Sequence, residues 1–180
     1  MKKRPNFLFF ITDQQRADHL SCYGNKLLKT PHIDVIATAG TRFDRFYVAT
    51  PICMPNRCTI MTGRMPSVHG VRHNGIPLSL DATTFVEVLR AAGYRTALVG
   101  KSHLQNFTGE VPKFQPKRPP GREPPPKALS DAVRPLRDGP LYDRELHVDP
   151  IGQPGALPTF YGFDHLRICT WHGDAVQGHY

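Results

Sequence analysis

The chain has 180 residues, enough for one sizeable core and at most two small domains. Charged residues make up 21% and hydrophobic ones 39%, a globular balance that excludes a disordered chain, and no apolar stretch is long enough to span a membrane. The net charge of +8 raises nucleic-acid binding, but no aromatic-basic RNA motif, zinc finger or helix-turn-helix pattern accompanies it. Attraction for a small anionic substrate accounts for part of the excess, and the irregular stretch from Lys113 to Arg137 carries much of the rest. The cysteines, Cys22, Cys53, Cys58 and Cys169, are spaced for neither a zinc site nor a disulfide framework. Met1-Lys-Lys-Arg opens like a signal peptide, yet the apolar run from Phe7 to Ile11 is too short for one and leads straight into Thr12-Asp13. The expectation is a cytoplasmic, bacterial protein with reduced thiols and no membrane or nucleic-acid partner.

Asn6 to Asp13 is a continuous apolar run ending in a carboxylate, the pattern of a central parallel strand buried on both faces. Ligands gather at the carboxyl ends of such strands, where Asp13 and Gln14 offer one charged and one neutral oxygen to a hard divalent cation. Taken as an isolated pair, an Asp that caps the next helix is the simpler reading. Arg16 to Asn25 is polar and reads as a loop. Thr30 to Gly40 is a helix with Thr30 as its cap, Pro31 in the first position and Gly40 as its stop. Arg42 to Val48 alternates and is rich in β-formers, so a strand is expected there.

Thr50 to Arg64 follows, with Cys53-x-Pro55-x-Arg57 at its centre and Thr62-Gly63-Arg64 at its close. Pro55 fits the first turn of a helix and Gly63 fits a left-handed helix end. Cys53 is therefore expected in the loop at a helix N-terminus, facing unpaired backbone N–H groups, with Arg57 one turn further on. That is a candidate anion site with a thiol in it. The polar loop after Arg64 holds His69, Arg72, His73 and Asn74, read as solvated or substrate-rim residues because their spacing suits no standard metal site.

Thr84 and Glu87 form a capping box for a helix that Gly93 ends, and Arg95 to Gly100 reads as a short strand, giving an α/β crossover unit. Lys101 and His103 follow at the strand's carboxyl end. In an extended segment both face the same side. The prolines Pro112, Pro116, Pro119, Pro120, Pro124, Pro125 and Pro126 exclude regular structure, so an extended insertion is expected from about 111 to 158. Leu166 to Trp171 reads as another strand. No motif assigns His172, Asp174 or His179.

Cys53-x-Pro55-x-Arg57 with Thr62-Gly63-Arg64, and Gly100-Lys101-x-His103, match two signatures of one family. The chain resembles the type I, formylglycine-dependent sulfatases of the alkaline-phosphatase-like superfamily. Phe160-Tyr161-Gly162-Phe163-Asp164 resembles the segment that rejoins the sheet in those enzymes. The resemblance implies an α/β fold, a mostly parallel sheet with helices on both faces. It also implies oxidation of Cys53 to a formylglycine aldehyde by a formylglycine-generating enzyme, and a divalent cation bound by Asp13, Gln14 and the modified residue 53. Ca²⁺ is the first choice for that cation, with Mg²⁺ and Mn²⁺ as alternatives. Many members have Asp-Asp where this chain has Asp13-Gln14, a variant that resembles choline sulfatases and phosphonate monoester hydrolases.

In the reaction so implied, the aldehyde hydrate attacks the sulfur of a small-molecule sulfate ester. Arg57 and the cation stabilise the alkoxide, Lys101 balances charge on the sulfuryl oxygens, and His103 takes the proton that releases sulfate. Lys101 and His103 tilt the expectation from phosphonate monoesters or phosphodiesters toward sulfate esters. A non-catalytic anion-binding module and a basic nucleic-acid binder are the remaining alternatives. The family's second pair of metal ligands and a further Lys and His do not occur before Tyr180. Residues 1–180 are therefore expected to be the N-terminal portion of a sulfatase catalytic domain, incomplete at its C-terminus, or else a degenerate protein that cannot hold its metal fully. The alcohol part of the substrate and the oligomeric state stay open.

Overall fold

A computed structural model describes residues 4–79, 82–105, 160–170 and 175–177. The chain divides into two compact units, Met1–Tyr47 and Val48–Tyr180. In the first, two 3-10 turns, Ala17–His19 and Ser21–Tyr23, occupy the stretch expected to be a loop. Helix α1, Pro31–Ala39, lies where expected, with Pro31 at its start and Gly40 at its end. Thr30 does not cap it through its side chain. The Thr30 hydroxyl instead accepts the Ser21 N–H at 3.0 Å and donates to the Asp34 carboxylate at 3.2 Å, while Ser21 Oγ donates to the same carboxylate at 2.6 Å. These bonds, Ser21's foremost, hold the Asp34 carboxyl below its ordinary pKa and tie the second turn to α1.

Neither strand expected in this unit forms. Among the described residues the run ending at Asp13 forms no named strand, and Leu8 and Phe10 stand 86% and 83% exposed. A strand exists through a hydrogen-bonded ladder, and among the described residues of this unit none is assigned. Arg42 to Val48 is captured as a loop. The Arg42 guanidinium bonds Asp44 at 2.8 Å, reaches the Cys22 carbonyl and lies 5.2 Å over the Tyr23 ring, while the Tyr23 hydroxyl donates to the Phe43 carbonyl at 2.7 Å.

The second unit holds helices α2 (Cys53–Thr62), α3 (Pro66–His69) and α4 (Phe85–Ala91) and a sheet of β1 (Ala97–Gly100), β2 (His165–Thr170) and β3 (Ala175–Gln177). β1 and β2 pair in parallel, Leu98 against Leu166 and Gly100 against Ile168, as a crossover unit requires. β3 returns antiparallel to β2 and was not expected from the sequence. Leu166 and Ile168 join Met54, Cys58 and Met61 of α2 and Val86 of α4 in one core, with Leu98 packed against it. Val99, on the opposite face of β1, is 79% exposed. Burying an aliphatic side chain contributes about 1.5–3 kcal/mol, so this core is the unit's main stabilising term.

α4 forms as its capping box dictates. The Thr84 hydroxyl accepts the Glu87 N–H at 3.2 Å and the Glu87 carboxylate accepts the Thr84 N–H at 2.9 Å. Thr84 also donates to the Tyr161 carbonyl at 2.8 Å, which anchors the turn before β2 on the helix. Asp164 completes the joint by accepting from Arg90 at 2.7 Å and from the Thr96 N–H at 3.1 Å. The proline-rich stretch, and His172, Asp174 and His179, lie outside the described residues.

Candidate active site

Cys53 is the first residue of α2 and not part of the loop before it. The residue at the cap position is Ile52, extended at φ −99° and ψ 134° and without a capping side chain. Apolar Met54, Cys58 and Met61 recur at helical spacing and are buried, which fixes the rotation of α2 on the core. That rotation sets Cys53 and Arg57, a turn apart, beside the buried stripe. Cys53 is half-buried and Arg57 is 8% exposed. Gly63 ends the helix at φ 66° and ψ 16°, the left-handed conformation expected of it.

The first turn offers an anion fewer backbone donors than expected. Pro55 has no N–H, that of Met54 goes to Asn74 Oδ1 at 3.1 Å, and that of Asn56 goes to the Ile52 carbonyl at 3.1 Å. The N–H of Cys53 itself is what the turn has left. Positive charge at this point therefore comes chiefly from side chains, Arg57 foremost. A buried guanidinium needs partners, and Arg57 Nη1 donates to the Lys101 carbonyl at 2.8 Å across 44 residues of sequence. That bond brings together the two segments singled out separately in the sequence.

Lys101 is half-buried, while Ser102 and His103 are 3% and 8% exposed. His103 sits at φ +52°, in the left-handed region, so the alternation that would turn Lys101 and His103 to the same side is broken there. Gln14, in the first unit, has φ +53°. Of the non-glycine residues described at positive φ, namely Gln14, His103 and Tyr161, two are candidates named from sequence. Such backbone strain, on the order of 1–3 kcal/mol each, gathers at sites that hold ligands. Asp13 and Gln14 lie at a bend of the first unit, Cys53, Arg57, Lys101 and His103 in the second. One carboxylate and one amide oxygen side by side suit a hard, oxygen-seeking cation. Among the described residues, no three His, Cys, Asp or Glu side chains gather as a metal site.

His69 is a correction. It is neither solvated nor at a substrate rim but 4% exposed. Its Nδ1 accepts the Val71 N–H at 3.2 Å, which leaves the proton on Nε2 to be donated to Thr59 Oγ1 at 3.1 Å. Desolvation pushes its pKa down to about 4, so the ring is neutral and joins α3 to α2. Arg72, His73 and Asn74 are exposed as expected. The role of Asn74 at α2 was missed, since a bond across 20 residues leaves no trace in local spacing.

The family model for sulfatases matches residues 5–133, and the chain belongs to the sulfatase family. It is 41% identical over 102 residues to an N-acetylglucosamine-6-O-sulfatase of Bacteroides thetaiotaomicron, a match covering 57% of this chain and 18% of that protein. It is 36% identical over 114 residues to the human steryl-sulfatase, covering 56% of this chain and 19% of the other. A solved protein structure in complex with its substrate D-glucosamine-2-N,6-O-disulfate aligns with TM-score 0.56 and 39% identity over 61% of this chain and 22% of that one. The phosphonate monoester hydrolase of Agrobacterium radiobacter aligns with TM-score 0.54 and 26% identity over 91% of this chain and 25% of that one. The fold class is thus the alkaline-phosphatase-like α/β fold of sulfatases. The chain spans about a fifth of the length of the curated relatives it matches.

Proposed function

We propose that the protein hydrolyses a small-molecule sulfate ester, with residue 53 as the nucleophile after its thiol has been oxidised to an aldehyde by a maturation enzyme. The observation that carries this reading is the 2.8 Å bond from Arg57 to the Lys101 backbone, which joins the two family signatures in one unit. Arg57 holds positive charge beside residue 53, and Lys101 takes the sulfuryl oxygens of the substrate. The hydrated aldehyde has two hydroxyls. Through one, oxygen forms a bond to sulfur as the ester S–O bond breaks and the alcohol leaves. The proton of the other passes to His103 as the C–O bond to sulfate breaks, which restores the aldehyde. A thiol or a serine hydroxyl has no second hydroxyl and so no such exit.

Asp13 and Gln14 are the residues that would hold a divalent cation, with Ca²⁺ the family-implied first choice and Mg²⁺ or Mn²⁺ the alternatives. When bound, that cation supplies Lewis-acid stabilisation of negative charge on oxygen. A second reading, phosphonate monoester or phosphodiester hydrolysis with the same nucleophile, is favoured by Asp13-Gln14 and by the hydrolase that aligns with 91% of this chain. Lys101 and His103 favour the sulfate. The relatives' substrates add a sulfated hexosamine to the test panel. Initial rates on hexosamine 6-sulfate, an aryl sulfate and an aryl phosphonate decide between the readings. Turnover of sulfates over the phosphonate is expected, and the reverse order would replace the first reading by the second.

A further inference from the structure

We infer that Asn74 is the N-cap of the nucleophile's helix, supplied from a separate loop, and that it acts as a positioning residue for residue 53. A helix start normally finds its capping oxygen at the residue just before it, and here that residue is Ile52, which has none. The Oδ1 of Asn74 takes that place and accepts the N–H of Met54, the residue next to Cys53, at 3.1 Å. The N–H of the following Gly75 reaches Met54 Sδ at 3.3 Å, and His69, the last residue of α3 just before that loop, bonds Thr59 at 3.1 Å. The segment from 69 to 75 thus grips α2 at both its first and second turns. Burial does not explain Asn74, because the residue is exposed. Its hydrogen bond to Met54 is the one its side chain makes among the described residues.

The consequence for catalysis rests on the proposed hydrolysis, while the cap itself does not. Loss of the cap frees the first turn to fray, so the oxygen on residue 53 is aimed at sulfur less often. The cost falls on kcat and little on KM. Asn74→Asp keeps the accepting oxygen and adds a charge that the helix N-terminus welcomes but an anionic substrate does not.

The test compares parent, Asn74→Ala and Asn74→Asp in the full-length protein, by hydrogen exchange at the Met54 amide and by steady-state kinetics on an aryl sulfate well below the melting temperature. Asn74→Ala is expected to speed exchange by about fivefold and lower kcat by a similar factor at near-constant KM. Asn74→Asp is expected to restore protection and kcat while raising KM. Unchanged exchange in Asn74→Ala overturns the cap, and faster exchange with unchanged kcat overturns the positioning role. In a protein with no sulfate-ester turnover, exchange decides alone: protection lost upholds the cap, protection kept refutes it.

Discussion

In the proposed mechanism Arg57 carries the anion site, because the first turn of α2 has given most of its backbone donors to Asn74 and Ile52. Arg57→Ala is expected to lower kcat/KM for a sulfate ester by about 10²–10³, the cost of removing one charge-stabilising donor from a dry site. Arg57→Lys keeps the charge but loses the planar fork that reaches the Lys101 carbonyl, and is expected to recover only part of the loss. A kcat/KM within about twofold of the parent for Arg57→Ala would remove Arg57 from the mechanism. His69 gives a second prediction at this scale. It is neutral in the folded protein, with a pKa depressed to about 4, whereas the unfolded chain protonates it below about 6.5. Its contribution to stability is complete above pH 6.5 and is lost as pH falls toward 4, on the order of 3 kcal/mol in all. His69→Gln can still donate to Thr59, and is expected to flatten the melting temperature between those pH values. An unchanged slope would assign the acid sensitivity to other groups.

At the scale of elements, the joint between α4 and the turn before β2 is tightly packed. A Cβ on Gly162 would stand 2.6 Å from the Glu87 backbone nitrogen and 2.9 Å from its Cα, and the glycine itself sits at φ +89°. Gly162→Ala is expected to cost about 2–4 kcal/mol by clash and backbone strain together, read as a lowered urea midpoint. A midpoint equal to the parent's would show that this contact is not made. Elements written in local chemistry were legible in the sequence. Pro31 and Gly40 bounded α1, the Thr84–Glu87 box began α4, and Gly63 ended α2. Elements that depend on a partner were legible only in part: β1 and β2 form where Arg95 to Gly100 and Leu166 to Trp171 read as strands. Among the described residues, the run before Asp13 and the alternation from Arg42 to Val48 read as strands but are assigned none, and β3, paired with β2, had no strand reading. The site divides in the same way. Arg57 and Lys101 were named from their motifs and do meet, whereas the tie from His69 to Thr59 and the cap from Asn74 to Met54 are tertiary bonds that no spacing announces.

At the scale of the whole molecule, much apolar surface faces outward. Leu8, Phe10, Ile36, Phe46, Tyr47 and Val99 are each more than 70% exposed, far more than scattered surface residues would account for. The chain spans about a fifth of its curated relatives, so such faces fit a portion of a larger domain. Residues 1–180 prepared alone are expected to bind a hydrophobic dye strongly and to associate as concentration rises, seen by fluorescence and light scattering. A dye-silent, monodisperse monomer would contradict that.

The central claim is that residue 53 cleaves the ester as an oxidised side chain. The most direct measurement is the intact mass of the tryptic peptide Phe46–Arg57 from protein that is turning over a sulfate ester. The expected mass is that of a peptide in which the CH2SH of Cys53 has become CHO, with loss of the sulfur and two hydrogens and gain of one oxygen, in proportion to activity across preparations. Full activity in protein whose Cys53 is wholly an unmodified thiol would contradict the account.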